Sequence, residues 1–347
     1  MITEKVRQWQ GLLQKLVTGF FAVGAMLCLL ATVLWRDRIP LDEILLSPAP
    51  LATRETPVTV TWFGVTTLLF DDGETQLLID GFVSRPTLAD ILLDRPVNND
   101  AAKINYFLNE YEINRLAAII PAHSHFDHAM DIAAIANRSS ASILGSESSA
   151  HIGRGAGVPP DQIVVVADGA DYTFGEFSVR FIATGHAPVG WRGAVPLPGA
   201  IESPLRMPAP VSAFREGGSY AIVVSHPSGS ALVLGSAGLQ PGKLDNLQVD
   251  TVFLGVGMIE GLGQAYIQDY WKYAVTATGA KTVVPVHFDD YTQPFGNISL
   301  APKVLDDFSV TARVLQDSRK RWDADTQLFM PAFAVPMPLT VRAAPET

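Results

Sequence analysis

The chain has 347 residues, 48% of them apolar and 17% charged, which excludes a disordered polymer and leaves material for a large core. Its net charge of −10 gives no general attraction for nucleic acid, so no nucleic-acid partner is expected. The only cysteine, Cys28, lies in an N-terminal apolar stretch, which excludes a disulfide framework and any thiolate metal site in the rest of the chain.

Residues 1–15 read as a cytoplasmic stub, followed by Leu16 to Trp35, a run without charge of about 20 residues, long enough to span a hydrocarbon core as a helix. Lys5, Arg7 and Lys15 precede it, and Arg36 and Arg38 follow. A cleavable signal peptide is the competing reading; the length of the run and the lack of a small-x-small site before a polar start speak against it. Leu27 before Cys28 speaks against lipoprotein processing, and a buried core helix fits the position poorly. Residues 16–35 are therefore expected to be an uncleaved transmembrane anchor. The basic residues favour the N-terminus inside by a small margin. A single-pass protein of the cytoplasmic (inner) membrane follows, with its domain on the outer, periplasmic side.

Residues 36–56, with Pro40, Pro48 and Pro50, read as a linker. From Val58 the pattern is β: Val58–Trp62 and Thr67–Phe70 read as strands, Asp71-Asp72-Gly73 as a hairpin turn, and Gln76–Ile79 as a strand delivering Asp80. Residues 84–112 predict short helices roofing one side of a site. Leu116–Ile120 is a short apolar run ending at Pro121, hence a buried strand, and Ala129–Ala136 starts a helix. Further strands are predicted over Ala141–Leu144, Gln162–Ala167 and Phe177–Ala183. Residues 187–217 are rich in proline and irregular, a length usually functional in a compact domain and expected to wall or lid the site. Trp191, Arg192 and Arg206 are its candidate substrate contacts, against the plainer reading of exposed loop residues. Tyr220–Ser225 and Ser230–Leu234 predict a hairpin, Thr251–Gly255 and Thr282–Val286 strands, and Gln264–Ala277 a helix. Residues 301–347 hold a helical stretch, Val304–Lys320, and a proline-rich tail.

Chemistry concentrates in His123-Ser124-His125-Phe126-Asp127-His128. In extended backbone His123 and His125 point the same way. Asp127 and His128 follow the turn and can face a second point nearby. Neutral imidazoles and a carboxylate suit zinc and related borderline metals. The plainer alternative is a polar loop with Asp127 as a helix N-cap.

This hexapeptide resembles the HxHxDH signature of the metallo-β-lactamase superfamily. The resemblance extends to Thr61–Phe70, to Asp80 at the end of its strand, to Gly185-His186 and to Val286-His287, and covers residues 57–300. It implies an α/β fold, the αββα sandwich of two mixed β-sheets flanked by helices, here preceded by one transmembrane helix. It also implies His123, His125 and His186 as ligands of a first metal and Asp127, His128 and His287 as ligands of a second, with Asp80 orienting the histidine loop. Where the family carries a bridging aspartate, this chain has Ser236 in Leu234-Gly235-Ser236-Ala237-Gly238. A neutral hydroxyl does little to offset repulsion between two dications. One tight zinc and a weaker second ion are therefore expected, with iron or manganese as alternatives.

The implied activity is a membrane-anchored, zinc-dependent hydrolase. A metal-bound hydroxide, its pKa lowered from 15.7 to about 7, would attack an ester, lactone or phosphodiester of a small-molecule or lipid-derived substrate, with Asp127 orienting it or taking a proton. Two alternatives stand beside it, a mononuclear Fe(II) oxygenase of the same fold and a degenerate member that binds metal without turnover. The Trp62-Phe63-Gly64 stretch is more similar to the lactonase and phospholipase-D-like branch than to true β-lactamases.

Overall fold

In the computed structural model, which describes residues 2–341, apolar alternation along the strands sorts side chains into two cores. Leu68, Phe70, Leu77, Ile79, Ala118 and Ile120 face the space between two sheets. Their neighbours Leu69, Leu78 and Ile119 face the opposite side, where the helices Ala101–Glu110, Ile132–Ser139 and Glu147–Gly155 supply Ile104, Phe107, Ile135 and Ile152. Aromatic pairs tie the sheets across the inner core, Phe70 on Phe253 at 5.9 Å and Trp62 on Phe288 at 4.9 Å between ring centroids.

The first sheet has seven strands in the order Pro336–Pro338, Thr59–Trp62, Leu68–Asp71, Gln76–Ile79, Leu116–Ile120, Ser142–Gly145 and Ile163–Val165. The second has eight, in the order Ser47–Pro48, Gln327–Met330, Thr282–Val286, Thr251–Gly255, Gly229–Leu234, Ser219–His226, Phe177–Thr184 and Asp171–Phe174. Both mix parallel and antiparallel pairs. The helices Gln264–Trp271 and Phe308–Trp322 cover the second sheet through Ile267, Trp271, Phe308 and Leu315. This is the expected sandwich of two mixed sheets flanked by helices.

Three elements differ from the sequence expectation. The helix expected over Ala129–Ala136 is two pieces, Phe126–Ala129 and Ile132–Ser139. Between them the buried Asp131 carboxylate accepts from the Val83 and Ser84 N–H groups, the Ser84 hydroxyl and the Asn99 amide, and so serves the neighbouring loop rather than its own helix. The helix expected over Gln264–Ala277 is α-helical only to Trp271 and continues as a π-turn, Lys272–Thr276. The proline-rich tail contributes Gln327–Met330 to one sheet and Pro336–Pro338 to the other, the latter at an edge, where proline's missing donor is tolerated.

Ahead of the sandwich lies the helix Ile2–Arg36. Its stretch Trp9–Arg36, 28 residues that include an 18-residue window of mean hydropathy 2.3 with no buried residue, is long and apolar enough to cross a membrane.

Candidate metal centre

The edge where strands of both sheets end gathers the polar residues. Asp80 follows Gln76–Ile79, His123 and His125 follow Leu116–Ile120, His186 follows Phe177–Thr184, and His287 follows Thr282–Val286. At this edge the backbone leaves regular geometry: Asp80, Met258 and His287 have φ of 58°, 61° and 61°. So does the β-branched Val65, with φ 48°, an unfavourable conformation for that residue type.

The conformation of Val65 is held from several sides. Its N–H donates to Asp289 Oδ1 at 2.7 Å, and its carbonyl accepts from the His287 N–H at 2.8 Å and Trp62 Nε1 at 2.9 Å. Asp289 is in turn paired with Arg85 at 3.1 Å, both side chains 1% exposed. His287 is thus fixed by a strained turn in a different sheet. Its ring lies against Gly257, where a Cβ would come within 2.7 Å of Nδ1.

The histidine loop is fixed in a similar way. Asp80 accepts from the Ala122 N–H at 2.8 Å through Oδ1 and pairs with His128 Nδ1 at 2.7 Å through Oδ2. That bond leaves His128 Nε2 facing the site. His125 stands at the N-cap of Phe126–Ala129, and Asp127 lies within its first turn, so the N-cap reading of Asp127 does not hold.

Two triads result, His123, His125 and His186 in one and Asp127, His128 and His287 in the other, each with ligand atoms within 4.8 Å of one another. They adjoin, since the His123 and His128 rings are 4.0 Å apart between centroids. In the first, His123 Nε2 and His125 Nδ1 face each other at 2.8 Å. In the second, Asp127 Oδ2 lies 3.2 Å from His287 Nε2 and 3.5 Å from His128 Nε2.

The charge states suit a cation. Burial and the neighbouring imidazoles hold His123 well below the usual histidine range, burial lowers His125, and burial brings His186 down to about 4. These rings are neutral and offer lone pairs. Burial works against ionisation of Asp127, but His128 and His287 outweigh it and hold the carboxyl well below its ordinary range. Burial likewise opposes a charge on His128, and the Asp80 and Asp127 carboxylates raise it. Two ring nitrogens facing each other in a buried site, beside an ionised carboxylate, form a donor set that a borderline dication satisfies.

Five of the six triad residues, His125, His186, Asp127, His128 and His287, line a cavity of about 360 Å³, with His123 buried behind them. Trp191, 84% exposed, stands on its wall, whereas Arg192 and Arg206 are exposed and do not line it. Ser236 lines it but belongs to neither triad; its hydroxyl donates to the Gly185 carbonyl at 3.2 Å. The remaining histidines stand elsewhere, His151 beside Glu147 and His226 beside Asp72, both at 3.6 Å. Sequence reasoning missed Tyr291 and Met258, which also line the cavity. Tyr291 follows His287 by four residues, a proximity that was its only signal; Met258 carried none.

The sequence profile of the metallo-beta-lactamase superfamily matches residues 60–246. The chain belongs to that superfamily. With its two triads it is a metal-dependent hydrolase. No curated protein matches the chain in sequence. Among solved structures, the hydrolase is similar to a metallo hydrolase from the hyperthermophilic archaeon Ignicoccus hospitalis, with 12% identity, a TM-score of 0.49 and coverage of 80% of this chain and 96% of the other. A metallo-beta-lactamase fold protein from Bacillus subtilis gives 13%, 0.46, 80% and 98%. An isothiocyanate hydrolase from Delia radicum gut bacteria gives 15%, 0.49, 80% and 98%. In this metallo-β-lactamase-fold hydrolase, His287 lies beyond the matched span, and only the folded chain brings it to the triads.

Proposed function

We propose that this hydrolase is a zinc enzyme that cleaves an ester, lactone or phosphodiester bond, held by its N-terminal helix on the periplasmic side of the inner membrane. The observation that carries the reading is that two adjoining triads meet at one cavity, which five of their six residues line. His123, His125 and His186 would hold a first ion, and Asp127, His128 and His287 a second. A zinc ion held by the first triad would supply Lewis acidity there and lower the pKa of a water bound to it to about 7. Asp127, kept ionised by His128 and His287, would orient that water through a carboxylate oxygen. Asp80 keeps the His128 ring from turning. The Trp62-Phe63-Gly64 similarity favours the lactonase and phospholipase-D-like branch.

The test is zinc content after exhaustive dialysis, together with a panel of esters, lactones and phosphodiesters. One retained zinc per chain is expected, and His123→Ala should abolish both retention and turnover. Undiminished turnover in that variant would sink the assignment. For the anchor, the full chain should stay with membranes through an alkaline wash; recovery of a soluble protein beginning after residue 35 contradicts it.

A further inference from the structure

The N-terminal helix does not lead into a loose tether. Immediately after it, the Asp37 carbonyl accepts from the Lys303 N–H at 2.9 Å, and the two side chains pair at 3.3 Å. Arg38 donates to Asp290 at 2.6 Å and to the Leu300 carbonyl at 2.7 Å. Asp290 is three residues past His287. The end of the helix is therefore bolted to the segment that carries one of the metal-triad residues.

Beside that junction lies a second cavity, of about 200 Å³, walled by Trp35 of the helix, Leu88, Ile91 and Leu92 of the short helix Leu88–Leu92, and Ala301 and Leu305. It adjoins the metal cavity, since Gly257, Met258, His287 and Tyr291 line both. Of the carboxylates along it, Asp289 and Asp290 are paired with Arg85 and Arg38, and Asp306 accepts from the Met258 N–H. Most of the remaining wall is hydrocarbon. Two of its wall residues, Leu92 and Leu305, are 71% and 48% exposed, their chain neighbours Leu93 and Val304 are 61% and 56% exposed, and the helix that brings Trp35 to the wall is itself apolar and uncovered. A cluster of this kind is costly in water and stable in an acyl boundary. Trp35, one residue from the end of that helix, is of the residue type that favours a membrane–water interface.

We infer that the substrate is an amphiphile taken from the bilayer, its reacting head over the metal triads and its alkyl chain in the channel between Trp35, Leu88–Leu92 and Ala301–Leu305. The inference rests on the hydrolase reading and on the helix as a membrane anchor, and adds the substrate class. Hydrolysis adds water across the head-group bond: the acyl carbon or phosphorus takes the hydroxyl, and the leaving alcohol takes the proton. The alkyl chain takes no part in that step. It contributes binding, and the bolted junction holds the channel mouth at the membrane surface.

Two measurements on the full chain in nanodiscs test this. The first is kcat/KM over paired series of 4-nitrophenyl acyl esters and alkyl 4-nitrophenyl phosphates, two to eight carbons long and below their micelle concentrations. The expected rise is about fourfold per methylene until the channel is filled, equivalent to ~0.8 kcal/mol per buried CH₂. Leu92→Asp and Leu305→Asp, at exposed positions that tolerate the change, should flatten that slope. The second needs no turnover: photolysis of nanodiscs doped with a diazirine-bearing acyl lipid should label Leu88–Leu93 or Ala301–Leu305. A flat series, with labelling confined to Trp9–Arg36, overturns the inference while leaving the hydrolase intact. If neither series is turned over, the bond assignment fails, and the labelling pattern alone still decides the channel.

Discussion

Ser236 shows how much one side chain alters a two-ion site. A carboxylate there could bridge both triads; the hydroxyl instead donates to the Gly185 carbonyl, which leaves Asp127 as the only carboxylate in either triad. Two dications a few ångströms apart repel, and one shared anion offsets less of that repulsion than two. Zinc titration of the metal-free protein should therefore show one tight ion and a second that binds only at higher concentration. Ser236→Asp should tighten the second by roughly 10–100-fold, the range that groups merely supporting a ligand already command. Two equally tight ions in the unaltered protein would contradict this. His226→Ala, at a histidine paired with Asp72 away from the triads, should leave both affinities unchanged.

At the scale of elements, the site depends on turns that hold unfavourable backbone. The Asp289 carboxylate serves both the strained Val65 N–H and the buried Arg85 guanidinium. Asp289→Ala would leave a buried cation without its partner, a change that costs ~3–5 kcal/mol. A drop of that size in urea unfolding is expected, and Arg85→Met in the same chain should recover part of it. Asp306 behaves oppositely. Burial pushes its carboxyl up to about 6, although the Met258 N–H bond works to lower it. Because the folded-state pKa lies above the unfolded one, its contribution to stability is fully present below pH ~4 and is lost as pH rises through about 6. Asp306→Asn keeps an acceptor for Met258. In metal-free protein it should match the wild type at pH 4 and exceed it at pH 8 by about 2–3 kcal/mol, which thermal unfolding at the two pH values would read.

For the molecule as a whole, the C-terminal residues add a strand to each sheet. Leu328, Met337 and Leu339 are 8%, 4% and 2% exposed, and the Leu339 carbonyl accepts from the Thr251 hydroxyl at 2.6 Å. Each such side chain is worth ~1.5–3 kcal/mol, so together they approach the stability of a typical domain. A chain ending at Asp325 should not give a cooperative unfolding transition; a transition like that of the full chain would show the tail to be dispensable. Most strands, and His123, His125, Asp127 and His128, were legible in the sequence, because strand alternation is a local pattern and HxHxDH is a contiguous one. The sandwich, Asp80, His186 and His287 entered through the resemblance to the superfamily, whose separate motifs each stand at or just beyond the end of an apolar run. Only the tertiary structure decided the rest. Tail strands that lack alternation are recognisable only once their partners exist. The loop arginines Arg192 and Arg206 are exposed and do not line the cavity, which spacing cannot reveal. The strained Val65, the Arg85–Asp289 pair and the Arg38–Asp290 bolt join residues more than two hundred positions apart. No local pattern encodes such contacts; they exist only after two sheets have packed.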